Sequence, residues 1–152
     1  MTTDRYSVYV DISAKIEAWD KPSVIAVAND HTRTLLIPIE VKAAAAQMLP
    51  GALPAQLTLM AVFTYLAVRP DVHQVSSITL DRDYSGQTAE RLIVRQLTEL
   101  IRRERPKFKA SAIRIAQVEG SRADRLAREV YRGLRRPDGA ISLADIEAVL
   151  WA

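Results

Sequence analysis

SVIAVANDHTRTLLIPIEV, Ser23 to Val41, is the stretch whose reading decides the fold. Ser23 to Asn29 is a continuous apolar run of strand length. Asn29-Asp30-His31-Thr32 is a turn sequence, and TRTLLIPIEV, Thr32 to Val41, continues as another strand. Two strands joined by a turn, rather than a helix, therefore occupy this segment. Pro38 lies inside the second run, lacks a backbone donor, and so places that strand at a sheet edge.

Working outward, Tyr6, Val8, Val10, Ile12, Ala14 and Ile16 alternate along one face, the period of a strand. Lys21-Pro22 separates this run from Ser23, and the three runs together predict an antiparallel meander. Downstream, Val41 to Met48 has an alanine-rich helical pattern. Pro50-Gly51 and Pro54 break it before a second apolar helix, Ala55 to about Val68, which Pro70-Asp71 ends. Gln74 to Asp83 reads as a fourth strand and Gln87 to Arg103 as a helix with Ile93, Leu97, Leu100 and Ile101 on one face. Ala110 to Glu119 is a fifth strand, and Ser121 to Leu134 another amphipathic helix. After Pro137-Asp138-Gly139, SLADIEAVLW is a last short helix in which Ser142 and Asp145 have capping-box spacing. The expected architecture is α/β: a five-stranded mixed sheet, the first three strands an antiparallel meander and the last two parallel, with helices on both faces.

The 152 residues suit a single domain, with a core over about residues 5–135 and a helical tail over 140–152. A composition 49% hydrophobic and 26% charged is that of a globular chain and excludes disorder as the main state. No cysteine is present, which excludes disulfides and thiolate metal sites, and His31 and His73 alone cannot build a histidine-rich zinc centre. The start lacks a secretory pattern, and the most apolar stretch, Leu57 to Val68, is too short to span a bilayer, so a soluble cytoplasmic protein with no membrane partner is expected. Phosphate-cradling glycine loops and the Gly-x-Ser-x-Gly elbow are both absent.

The acids carry the functional signal. Asp11 sits in the middle of the first strand, opposite in face to Val10 and Ile12, where a carboxylate needs a partner or a cation. In ITLDRDYSG, Ile78 to Gly86, Asp81 ends the fourth strand, and Asp83 shares its face if the strand continues. Asp124 lies in the first turn of the helix after strand five. If strands one and four are adjacent and parallel, Asp11 and Asp81 converge, and the helix bearing Asp124 can pack over them. Carboxylates without histidine or cysteine suit hard cations such as Mg2+ or Mn2+. Ordinary explanations stand beside these. Asp81 and Asp83 could form a turn or cap, Ser121-x-x-Asp124 has cap spacing, and Asp11 could pair with Lys15 or an arginine.

This order of elements, with Asp11, Asp81 and Asp124 in these places, resembles the ribonuclease H-like superfamily of ribonucleases H, Holliday-junction resolvases and integrase cores. The resemblance implies a phosphodiester hydrolase using two carboxylate-bound Mg2+ or Mn2+ ions, with Asp11, Asp81, Asp83 and Asp124 as catalytic and metal residues. It departs from the family in having no acid on the first helix after Glu40, a role that Asp83 or Glu119 could take. Two other readings stay open. One is a non-catalytic interaction or nucleic-acid-binding protein on the same scaffold. The other is a PIN-like nuclease, which VYVDISA also resembles, but those domains pass from the first strand into a helix.

Arg122, Arg125, Arg128, Arg132 and Arg136 recur at helical spacing, and RRERPKFK, Arg102 to Lys109, adds a second basic cluster. Arginine forks match phosphate oxygens, which makes nucleic acid the expected partner and Arg122, Arg125, Arg128 and Arg132 its contacts. A solvated helix face paired with Glu99, Glu104 and Glu129 is the structural alternative. Trp151 reads as an anchor for the terminal helix or as a homodimer contact.

Overall fold

The computed structural model describes residues 6–29, 31–51, 53–82, 84, 86–118 and 120–152. Among them are the strands β1 (Tyr6–Ser13), β2 (Ser23–Ala28), β3 (Thr32–Ile37), β4 (Val75–Asp81), β5 (Ile113–Ala116) and β6 (Gly139–Ala140). The helices are α1 (Ile39–Met48), α2 (Ala55–Val68), α3 (Gln87–Arg102), α4 (Arg122–Tyr131) and α5 (Leu143–Leu150). All the strands belong to one mixed sheet of order β5-β4-β1-β2-β3-β6. β1, β2 and β3 pair antiparallel, whereas β1–β4, β4–β5 and β3–β6 are parallel. The decisive segment is indeed two strands, with Ser23 opposite Ile37 and Ala28 opposite Thr32, and turns rather than a helix follow β1.

Three expectations change, one of them the edge position of the Pro38 strand, since β3 lies between β2 and β6. The sheet has six strands, not five, because the chain after Pro137 docks on β3 instead of turning directly into the last helix. The Thr34 N–H donates to Asp138 Oδ2 at 2.8 Å, and the Asp138 N–H returns to the Thr34 carbonyl at 2.9 Å. Gly139 then lies so close to β3 that a Cβ there would come within 3.1 Å of Leu35 Cδ2. The third strand also stops earlier than expected. It ends at Ile37, Pro38 occupies the N-cap of α1, and Ile39 to Val41 are helical. Pro38 thus terminates the strand instead of lying within it, as its missing donor and fixed φ favour at a helix start.

Alternation along β1 and β2 builds two apolar layers. Val8, Val10, Ile12, Ile25 and Val27 face the larger core, which holds α1, α2, α3 and α5. Val24, Ala26 and Ala28 face the opposite way and are covered by Ala123, Leu126, Ala127 and Val130 of α4. α2 packs against α3, β2, α1 and α5, so it is apolar nearly all round, unlike the amphipathic α3 and α4. The tail joins the larger core through Ile141, Ile146 and Val149. Trp151, by contrast, is 69% exposed and does not anchor α5 to its own chain.

The lysine of the first helix is fully buried. Lys42 Nζ donates to the carbonyls of Ala18 at 2.9 Å, Lys21 at 2.8 Å and Lys15 at 3.3 Å, and bonds Ser23 Oγ at 2.9 Å. Burial pushes its pKa below the ordinary lysine value, while Glu17 and Asp20 pull it back up. The basic cluster is likewise used inside the chain. Arg102 donates to the Phe108 carbonyl, Arg103 to that of Val149, and Arg105 to those of Val72 and Val75.

Candidate functional site: a carboxylate pocket under helix α4

In the parallel pair β1–β4, Val10 lies opposite Leu80, so the next residue on each strand is an aspartate, Asp11 and Asp81. Val10 and Leu80 point into the larger core. Asp11 and Asp81 therefore share the other face, on strands about 4.8 Å apart. Asp11 is only 4% exposed. Its neighbour on β2 is Ala26, whose small side chain lets α4 approach closely.

α4 delivers the third acid. Ser121 is its N-cap, accepting from the Asp124 N–H at 3.2 Å, while Asp124 Oδ2 accepts from the Gly120 N–H at 2.9 Å. One turn on, Arg128 Nη2 donates to both carboxylate oxygens of Asp124, at 3.1 and 2.9 Å. The carboxyl group of Asp11 stands beside that of Asp124 in the same pocket. Burial pushes the Asp124 pKa up, but Gly120, Asp11 and Arg128 outweigh it and hold the carboxyl below its ordinary value.

Asp81 Oδ1 accepts from the Val118 N–H at 3.0 Å, which ties the end of β4 to the loop leading into α4. Asp11, Asp81 and Asp124 line one polar pocket of about 320 Å3 with Ser13, Ala14, Arg82, Gln117 and Arg128. The rim is held from below. Ala14 adopts φ 66°, and its carbonyl accepts from Ser23 Oγ at 2.9 Å, the same hydroxyl that meets Lys42. Arg82 turns aside to Glu90 and the Ile115 carbonyl, each at 3.0 Å, and Tyr84 bonds Ile16 and Glu17.

Three of the four expected acids thus meet in one pocket. Asp83, like Glu119, lies outside the described residues. Among the described residues, no three Asp, Glu or His side chains form a ready-made cation cage. The donor chemistry is nonetheless all carboxylate oxygen, which suits Mg2+ or Mn2+. His31 and His73 are exposed and outside the pocket. No family model, curated protein or solved structure matches this chain.

Of the four arginines expected to meet nucleic acid, all are exposed, but they are not equivalent. Arg128 is committed to Asp124, and Arg122 makes a long 3.4 Å contact to the Asn29 carbonyl. Arg125 and Arg132 line a shallow groove with Arg128, Glu129 and Leu134. The Arg128–Asp124 pair is an i,i+4 contact that helical spacing alone could have flagged. Ser13 follows Asp11 by the strand period, whereas Ala14 and Gln117 enter the site through chain segments that have no periodic signature.

Proposed function

We propose that this chain is a ribonuclease H-like, divalent-cation-dependent nuclease that hydrolyses a nucleic-acid phosphodiester in the pocket of Asp11, Asp81 and Asp124. Asp83 remains the candidate fourth acid. The observation that carries this reading is the meeting of three carboxyl groups from β1, β4 and α4 in one polar pocket. Isolated buried acids are costly, so a pocket that gathers three of them is a natural place for a cation. The parallel β1–β4 pairing, on which the convergence of the acids depended, also supports it.

Asp11, Asp81 and Asp124 would hold Mg2+ or Mn2+, which supplies Lewis-acid activation of water and neutralisation of phosphoryl charge. Arg128, on releasing Asp124, is one turn away and free to meet a phosphate oxygen. Arg122, Arg125 and Arg132, with Arg128 on the exposed side of the same helix, hold the polynucleotide backbone. The test is cleavage of labelled single-stranded, duplex and hybrid substrates with Mn2+. Cleavage that Asp81→Asn abolishes and Arg125→Ser only weakens is expected, and absence of any cleavage by the native protein sinks the reading.

A second reading, a non-catalytic nucleic-acid-binding or self-associating protein, is favoured by one observation: Asp124 is already neutralised by Arg128. The two readings part on metal binding. For the nuclease, Mn2+ raises the melting temperature of the native protein and not that of Asp11→Asn. For the alternative, both shift alike.

A further inference from the structure

β1 carries a second feature on the carboxylate face. Tyr9, two residues before Asp11, is opposite Ala28 on β2 and Thr79 on β4, and it is 47% exposed although it sits on a central strand. Together with Ala28, Asn29, Ser121, Arg122 and Ala123 it lines a mainly apolar pocket of about 310 Å3, at the lower end of the range of small-ligand sites. Two walls are alanines, so the aromatic ring is the one large apolar group offered there. A guanidinium, Arg122, stands at the margin. Residues two apart on a strand are about 6.6 Å apart along it, which sets this pocket one short step from the acids.

From this juxtaposition we propose that the Tyr9 pocket is a nucleobase subsite, in which Tyr9 stacks an unpaired base next to the phosphodiester held at Asp11, Asp81 and Asp124. The proposal rests on the nucleic-acid reading above and adds to it a substrate class: a strand with at least one unstacked base near the scissile bond. Base–aromatic stacking tolerates any base, since each presents a π-face. Ala28 and Ala123 supply apolar walls beside the ring, and Arg122, held among the described residues only by its long contact to the Asn29 carbonyl, is the cation for the adjoining phosphate. A duplex, whose bases are already stacked, gains nothing from Tyr9 and meets the arginines alone.

The experiment measures binding in EDTA, so that it does not depend on cleavage, by fluorescence anisotropy of a short labelled single-stranded DNA and its RNA counterpart. Native protein, Tyr9→Phe and Tyr9→Ser are compared on each strand and on a duplex of the same sequence. The expected result is near-native binding by Tyr9→Phe and single-strand binding about 5- to 150-fold weaker for Tyr9→Ser, with duplex binding unchanged. A scan of abasic positions in the strand should find one position at which native protein and Tyr9→Ser bind equally. Equal single-strand affinity of native protein and Tyr9→Ser overturns the base subsite and leaves the nuclease reading standing. No binding of either strand or of the duplex by the native protein overturns both. Tyr9→Phe keeps the ring's apolar contacts, so a loss common to both variants identifies disturbance of the strand and also overturns the stacking role.

Discussion

At Lys42 an ammonium exchanges water for three main-chain carbonyls and a hydroxyl, and so ties α1 to the turn between β1 and β2, which Tyr84 and Ser23 also hold. Lys42→Met keeps the apolar stem and removes the charge, leaving the Lys21 carbonyl unsatisfied at about 1–3 kcal/mol, while the Lys15 and Ala18 carbonyls keep the backbone N–H groups of Ala18 and Lys21. A loss of roughly 1–3 kcal/mol is expected in urea unfolding; a loss below about 1 kcal/mol would mean that the ammonium adds little to the other contacts of the turn. Tyr65 makes a pH-dependent prediction. Burial, then the hydrogen bond and charge of Glu104, push its phenol up to about 12 from an ordinary 10.0. Between those values the folded state keeps a proton that the unfolded chain has lost. Its contribution is therefore complete below about pH 10 and disappears as pH rises through about 12. Stability measured from pH 9 to 12 should fall less steeply for Tyr65→Phe than for the native protein, and the native phenolate step near pH 12 should be missing from the variant's absorbance titration.

Among the elements, the two serine-capped helices differ in what their caps protect. On α5, Ser142 and Asp145 form a reciprocal capping box, bonding each other's N–H at 3.1 and 2.9 Å. Ser142→Ala should cost about 1 kcal/mol, read as a shift of the urea midpoint, with no effect at the carboxylate pocket. On α4 the same geometry is diverted: Ser121 caps, but Asp124 bonds Gly120 and Arg128 in place of the N-cap N–H. That difference separates a purely structural acid from one drawn into a site. Much of this level was legible beforehand. Pro54 and Pro70 bracket α2, Gly86 precedes α3, and alternation along residues 6–13 and a continuous apolar run over 23–28 give two strands, because in each case the local signal and the tertiary environment agree. The convergence of Asp11 and Asp81 was legible only as a condition on strand order, which no local pattern encodes. Lys42 was visible merely as the lone charge on an apolar helix. Its partners are carbonyls contributed by a turn with no sequence signature, and so its burial could not be read. β6, at two residues, is too short to have a period.

For the whole molecule, the tail is the part whose reading changed most. Residues 139–140 extend the sheet beyond β3, and Ile141, Ile146 and Val149 enter the larger core beside α1 and α2. Removing residues 137–152 uncovers the outer edge of β3 and takes three buried aliphatic side chains from the core, each worth about 1.5–3 kcal/mol. The truncated chain should lose cooperative thermal unfolding and aggregate through the exposed edge; a soluble truncation with a native-like melt would show that the tail is an appendage. Leu134 and Trp151, 75% and 69% exposed, remain the apolar groups most available for self-association. The buried Lys42 amine has one more use. Because it sits beneath the turn whose residue Ala14 forms the pocket rim, an acylating reagent reaches it only when that turn lifts. Under gentle labelling, the lag of Lys42 behind the surface amines becomes a clock for how often the wall of the carboxylate pocket opens.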